Sequence, residues 1–161
     1  MINIDNMKIG NLEEEYEECK NKGTIKFKKE VQNELVKSLF NAAIEGKERS
    51  KENDLAYEKR SGNYGFIFVE QYDILRKLID SFLLLSKISC DNHICSNAHL
   101  CMNHKELKFD WKTLEIIRKL RNNIQYKGIQ IDEETWKSHK IKFEMYINSL
   151  IKILEKKLSD T

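Results

Sequence analysis

The stretch RKLRNNIQYKG, residues 118–128, concentrates two arginines, two asparagines and a tyrosine in a few positions. On a helix, Arg118, Asn122 and Tyr126 lie one turn apart on the same side, and Arg121 lies next to that row. Arginine holds phosphate with a planar fork of donors, and asparagine orients a neighbour by hydrogen bonding. The stretch therefore suits contact with the phosphate of RNA or of a nucleotide. An ordinary solvated helix end has the same residue types, so both interpretations stay open.

A second group of reactive side chains lies in the window CDNHICSNAHLCMNH, residues 90–104. Clustered cysteines and histidines predict either a zinc site or a polar connection between helices, in which cysteines act as small buried groups. If the window were one straight helix, Cys90 and Cys101 would lie roughly 16 Å apart, too far for one ion, whereas a loop at its start would relax that objection. The candidate zinc ligands are Cys90, His93, Cys95, His99, Cys101 and His104.

The composition is that of a helical globular chain. Among 161 residues, 34% are charged and 40% hydrophobic, proline is absent and only six residues are glycine. The scarcity of helix breakers favours helices over a turn-rich β fold. The net charge is only +2, so any binding of nucleic acid must be local rather than the result of a basic molecule as a whole.

The most apolar run, FIFVEQYDILRKLIDSFLLLSKI at residues 66–88, suits a buried amphipathic helix better than a membrane span. It is interrupted by charged side chains, including Glu70, Asp73, Arg76, Lys77 and Asp80. The N-terminal MINIDNMKIG lacks the apolar core of a signal peptide. We therefore expect a cytoplasmic protein, without membrane contact, whose cysteines are thiols or metal ligands rather than disulfides.

Apolar residues that recur at steps of three and four predict four long amphipathic helices in a single domain, residues 1–161. A short acidic helix that Gly23 ends forms a leader at residues 1–23, and residues 24–161 form an antiparallel up-and-down four-helix bundle with extra short helices. Residues 50–63 are predicted to connect the first two long helices, either as a loop throughout or with a helical extension at the start. The predicted helices are 11–21, one within 27–53, 64–88, 111–127 with Asp110 as N-cap and Gly128 as stop, and a last one that Asp132 caps.

Several stretches resemble, in order, the HEPN (higher eukaryotes and prokaryotes nucleotide-binding) family, especially its short stand-alone prokaryotic members. The family's leader resembles EECKNKGTIKFKKE, and its first long helix resembles LVKSLFNAAIEGKERSKE. Its second long helix resembles GNYGFIFVEQYDILRKLIDSFLLLSK, and the short helix that follows resembles DNHICSNAHL. LRNNIQYKG stands where the family has its signature. The resemblance covers nearly the whole chain. It implies a four-helix bundle and, commonly, a homodimer in which two signature strips face each other across a cleft.

The nuclease members of that family carry an arginine, four further residues and then a histidine. Aligned with this signature, Arg121 matches the arginine, Asn122 matches the polar residue that often follows it, and Tyr126 occupies the histidine position. An imidazole exchanges protons near neutral pH because its pKa is about 6.5, whereas a phenol with a pKa near 10 is a poor base there. The resemblance therefore implies a site of Arg121, Asn122 and Tyr126 that lacks the usual imidazole.

Three functions are compatible with these residues. The first is a nucleotide- or RNA-binding module that acts as the toxin or partner component of a toxin–antitoxin pair with a nucleotidyltransferase, for which Tyr126 is a candidate acceptor. The second is an active metal-independent ribonuclease in which Tyr126 or a histidine from elsewhere replaces the missing imidazole. The third is a non-catalytic structural or partner-binding protein in which residues 118–128 are only a helix end. No cofactor is expected apart from zinc in residues 90–104.

Overall fold

The computed structural model describes residues 4–57 and 62–160, without the side chains of Leu55 and Tyr57. This part of the chain is mostly helical, which confirms the predicted all-α class. The helices are α1 (Leu12–Asn21), α2 (Asn33–Tyr57), α3 (Gly65–Leu85), α4 (His93–Asn103), α5 (Trp111–Lys127) and α6 (Glu133–Ser159). Two short strands, β1 (Ile25–Phe27) and β2 (Ile88–Cys90), and short 3-10 helices at Ile4–Asn6 and Lys105–Leu107 complete the described elements. None of the described helices has a stretch long and apolar enough to span a bilayer.

Helix α3 is the centre of the molecule, because α2, α4, α5 and α6 all pack against it. Its sequence is apolar on most sides, and most of its large apolar side chains are buried, with Phe66 as an exposed exception. Phe68 of α3 meets Phe143 of α6 edge to face, with ring centroids 5.1 Å apart. Leu114, Ile117 and Leu120 form the buried face of α5, and α5 lies on another part of α3. Since burial of one such aliphatic side chain contributes about 1.5–3 kcal/mol, these contacts fix how α5 is oriented.

The helix ends follow the predicted capping. The Asp110 carboxylate accepts a hydrogen bond from the Thr113 amide at 2.8 Å, and Asp132 accepts one from the Thr135 amide at 2.8 Å. Gly128 ends α5 with a φ of +63°, a conformation that glycine adopts without steric cost. The second long helix ends earlier than predicted, at Leu85, because the chain turns at Lys87 with a φ of +60°.

The connection at 50–63 begins with the helical extension that the sequence leaves open, since residues 50–57 continue α2. Their polar composition reflects a solvated helix face rather than a loop, and residues 58–61 lie outside the described part of the chain. The antiparallel pair of β1 and β2, with Ile25 opposite Cys90 and Phe27 opposite Ile88, has no counterpart in the predicted elements. Three residues are too few for an alternating pattern to distinguish a strand from a loop.

A disulfide joins Cys19 of α1 to Cys95 of α4, across 76 positions of sequence. Both residues are only 3% exposed. The expectation that the cysteines are thiols or metal ligands is therefore wrong for these two, whereas Cys90 and Cys101 are free. The spacing of cysteines carries no information about which distant pair the fold brings together, so the sequence alone does not reveal this bond.

A glycine sets how closely the start of α3 approaches the end of α5. A Cβ atom on Gly65 would lie 3.0 Å from Cγ2 of Ile124 and 3.1 Å from Oδ1 of Asn63, which accepts a hydrogen bond from the Gly65 amide. We expect Gly65→Ala to lower the free energy of unfolding by about 1 kcal/mol, because two packed elements must shift. Urea denaturation measures this.

Gly62→Ala is the matched control, since a Cβ atom there would have nothing within 4 Å. It should change the free energy of unfolding by less than about 0.5 kcal/mol. Equal effects of the two substitutions would show that the close approach of α3 and α5 is not required.

Candidate nucleic-acid interface

Arg121 lies between two aromatic rings at the end of α5. Its guanidinium carbon is 5.5 Å from the centre of the Tyr72 ring, on α3, and 5.7 Å from the centre of the Tyr126 ring. Attraction between a cation and the face of an aromatic ring is worth about 0.5–1 kcal/mol at exposed sites and more where water is excluded. The two rings therefore hold the guanidinium in place without consuming its hydrogen-bond donors.

The polar contacts of Arg121 are long. Its Nη1 donates to Oδ1 of Asn122 and to the hydroxyl of Tyr126, each at 3.4 Å, and its Nη2 lies 3.5 Å from Oδ1 of Asp73. Its Nε is buried and has no hydrogen-bond partner among the described residues. Because hydrogen bonds of this type are normally about 2.7–3.2 Å long, the two Nη atoms keep donor capacity for a further acceptor, whereas the buried Nε is not accessible to one.

A basic groove runs along the opposite side of the α5 terminus, with a volume of about 480 Å³. No carboxylate is among its lining residues in the described part of the chain, and four of them are basic. The residues that line this groove are Met7, Lys8, Arg118, Lys119, Asn122, Asn123, Tyr126 and Lys127. Arg118, Asn122 and Tyr126 thus share one surface, as their spacing predicts. The groove is a local positive surface on a nearly neutral molecule.

Tyr126 connects this groove to Arg121. Its side chain lines the groove, its hydroxyl accepts the bond from Arg121, and the residue is 75% exposed. An exposed aromatic ring beside basic side chains is the usual platform on which an unpaired base stacks in single-stranded nucleic acid.

A buried ion pair supports the groove from below. Glu115 is 1% exposed, and its carboxylate accepts three hydrogen bonds from Arg118, at 2.7–3.1 Å. Asn97 of α4 donates to the same carboxylate at 3.2 Å. Because a carboxylate and a guanidinium match as two planar forks, this pair fixes the Arg118 side chain at the edge of the groove.

His93 is a residue of this region whose proximity to Arg121 the sequence does not predict. It begins α4, and its Nδ1 lies 2.6 Å from the hydroxyl of Tyr72, the same residue whose ring lies under Arg121. Burial lowers the pKa of His93 to about 4, with further contributions from nearby arginines, first Arg76, and burial raises the pKa of Tyr72 to about 12. At neutral pH both partners are therefore uncharged.

The candidate zinc ligands of residues 90–104 do not come together as one group. Cys95 is bonded to Cys19, and across the described residues no three histidine, cysteine, aspartate or glutamate side chains converge as a metal site. His99 and His104 approach each other, with ring centroids 6.0 Å apart. Zinc binding stays a prediction, which metal analysis of protein purified without a histidine tag would test.

Comparisons with family models, with curated proteins and with solved structures find no match for this chain. The interface is accordingly defined by its own geometry: an arginine with unused donors, an exposed tyrosine and a groove of basic side chains.

Acidification charges two histidines that the fold keeps neutral. Burial lowers the pKa of both His93 and His99 to about 4, whereas an unfolded chain has a histidine pKa of about 6.5. Between pH 6.5 and 4 the unfolded state therefore binds more protons than the folded state, and the free energy of unfolding falls as the pH falls. Each histidine contributes a slope of up to about 1.4 kcal/mol per pH unit.

We expect His93→Gln to reduce the slope of the free energy of unfolding against pH between about pH 6.5 and 4.5. The reduction corresponds to the loss of up to one proton taken up on unfolding. His99→Gln should reduce it by a similar amount, because the pKa of His99 is lowered equally. Urea denaturation at a series of pH values measures both slopes. Slopes equal to that of the wild type in both variants would contradict the neutral state assigned to these side chains.

Proposed function

We propose that the end of α5 and the segment before α1 bind single-stranded RNA, or a nucleotide with the same chemistry. A phosphate lies in the basic groove and a base stacks on Tyr126. The observation that carries the proposal is the groove itself, in which Lys8, Arg118, Lys119 and Lys127 surround an exposed tyrosine without a lining carboxylate among the described residues.

The basic side chains account for attraction to phosphate. The three lysines act as point charges, while Arg118 is held by Glu115, so the groove follows a backbone without reading sequence. If three phosphates are neutralised, the logarithm of the affinity falls with the logarithm of salt concentration with a slope of about −2. The site is thus expected to bind RNA strongly only at low ionic strength.

Arg121 and Tyr126 account for the orientation of the bound RNA or nucleotide. Tyr126 offers a ring face to one base, while the Nη donors of Arg121, whose contacts within the protein are long, lie beside that ring. Asn122 helps to hold the guanidinium. These are the three residues that the resemblance to the HEPN family implies as the site.

A cytoplasmic location is proposed from the sequence alone. The other finer parts rest on the resemblance, and they are the antiparallel four-helix bundle of HEPN type, a homodimer and a nucleotidyltransferase partner in a toxin–antitoxin pair. The 75% exposure of Tyr126 supports the last part, because a hydroxyl must be accessible to accept a transferred nucleotide. Mass spectrometry of Tyr126 after co-expression with a neighbouring transferase tests it, and an unmodified tyrosine would count against it.

Fluorescence anisotropy with a labelled single-stranded RNA of about ten nucleotides tests the binding site. Tyr126→Ala should weaken binding by about five- to a hundredfold, because stacking of one base is worth about 1–3 kcal/mol. Tyr126→Phe should retain most of the affinity, since it keeps the ring. Lys127→Gln should reduce the salt slope by about 0.7.

Lys152→Gln is the matched control, because Lys152 is an exposed lysine of α6 that does not line the groove. It should change neither the affinity nor the salt slope. If Tyr126→Ala and Lys127→Gln behave like this control, the groove is not the binding site.

Metal-independent cleavage of RNA is a second candidate, and the position of His93 favours it. The imidazole is neutral and is linked through Tyr72 to Arg121, so it is the nearest substitute for the histidine that the signature lacks. In this case the wild type cleaves labelled RNA in the presence of a chelator, and both His93→Ala and Arg121→Ala abolish cleavage while Lys152→Gln retains it. Intact RNA after incubation with the wild type would exclude this function.

A further inference from the structure

Helix α1 is attached to the rest of the molecule by one buried side chain. Cys19 is the only residue of α1 that is buried, while Leu12 and Tyr16 are partly buried against the core. The other positions are largely acidic and exposed. A helix of ten residues is only marginally stable by itself in water, so the docked state of α1 depends on its contacts with α4.

Apart from the disulfide, α1 packs on α4, with Leu12 and Tyr16 partly buried against the core. The Tyr16 hydroxyl accepts a hydrogen bond from Asn103 at 3.1 Å, and the Tyr16 ring lies 5.9 Å from that of His99. Exposed contacts of this kind contribute about 1 kcal/mol or less each. The disulfide between Cys19 and Cys95 adds a covalent constraint to these individually weak contacts.

The segment before α1 forms a wall of the basic groove. Met7 and Lys8 line the groove, and the Lys119 ammonium donates to the backbone carbonyl of Lys8. The indole nitrogen of Trp111 donates to the carbonyl of Gly10 at 2.8 Å. Since only Asn11, the N-cap, separates Gly10 from α1, the position of this wall and the docking of α1 are mechanically linked.

We infer that the Cys19–Cys95 disulfide is a redox-sensitive clasp that holds α1 on α4 and thereby keeps the N-terminal wall of the basic groove in place. The reductant is a dithiol that reaches the sulfur atoms when α1 opens locally, since both cysteines are only 3% exposed while α1 is docked. The reductant gives up two electrons and two protons, the bond between the two sulfur atoms breaks, Cys19 and Cys95 become thiols, and the dithiol becomes a disulfide. The released α1 takes Lys8 away from the groove.

The clasp is reversible because the far end of α1 stays tethered. The Thr24 hydroxyl donates to the carbonyl of Cys19 at 2.8 Å and lies 3.2 Å from the sulfur of Cys95. The amide of Asp91 donates to the carbonyl of Thr24, next to the pairing of β1 with β2. The bond between Asp91 and Thr24 does not involve the disulfide, so it keeps the two thiols close enough for reoxidation.

Hydrogen exchange of the intact chain, oxidised and reduced with dithiothreitol, tests the clasp. We expect amides of α1 to exchange at least about tenfold faster after reduction, since α1 then opens locally, whereas amides of the buried face of α5 keep their rates. Cys19→Ser should show the fast exchange without reductant. Cys90→Ser is the matched control, because Cys90 is a free cysteine and its variant should still respond to reduction.

Unchanged exchange of α1 after reduction would overturn the clasp. Faster exchange of α5 to the same degree would also overturn it, because the whole fold would then be opening. Reduced wild-type protein has the native sequence, so this comparison does not depend on whether a variant folds.

The effect of the clasp on the groove rests on the proposed function, and it is measured in a separate binding experiment. Affinity for the labelled single-stranded RNA should fall about three- to tenfold on reduction, since the groove loses one of its four basic side chains. Unchanged or higher affinity, with α1 released, would overturn the link to the groove. If the oxidised protein binds no RNA, the proposed function fails, whereas the exchange rates still decide whether the clasp exists.

Discussion

The packing of the apolar face of α5 on α3 determines where each candidate side chain lies. Leu114, Ile117 and Leu120 are at most 2% exposed, and burial of each contributes about 1.5–3 kcal/mol. The polar contacts of Arg121 are 3.4–3.5 Å long and individually weak. The core therefore fixes the rotation of α5 about its axis. Arg121 then contacts the side chains of α3 that lie nearby, chiefly the ring of Tyr72. A side chain placed in this way keeps donors that its own fold does not satisfy.

Whether a charged side chain of the site is buried or exposed also decides how its charge acts. Glu115 and Arg118 form a buried pair, and loss of one partner of such a pair costs about 3–5 kcal/mol because the other charge is left unpaired. This pair acts as a fixed support rather than as a free binding group. The lysines of the groove lie at the surface, where salt limits their field to about 10 Å at 0.1 M. The charge of the groove, rather than the total of +2, therefore decides what binds there.

The sequence predicts well those features that neighbouring residues determine. The bounds of α5, its Asp110 cap and its Gly128 stop depend on local hydrogen bonds, and the sharing of one surface by Arg118, Asn122 and Tyr126 depends on helical spacing. The features that the sequence does not predict are contacts between distant segments. They include the disulfide of Cys19 and Cys95, the bond between Tyr72 and His93, the pairing of β1 with β2, and the entry of Lys8 into the groove. Each depends on how helices dock, which residue spacing along one segment does not encode.

The protonation states of the site favour binding over cleavage. A cycle of acid–base catalysis needs a group that both accepts and returns a proton near neutral pH. With a pKa of about 4, His93 carries a proton in only about one molecule in a thousand at pH 7, and its neutral form is a weaker base than ordinary imidazole. Binding makes no such demand, because lysine and arginine attract phosphate by charge and by donated hydrogen bonds, without proton transfer. The same residues can therefore hold a phosphate without acid–base chemistry, whereas cleavage through His93 would require contact with the RNA to raise the pKa of its imidazole.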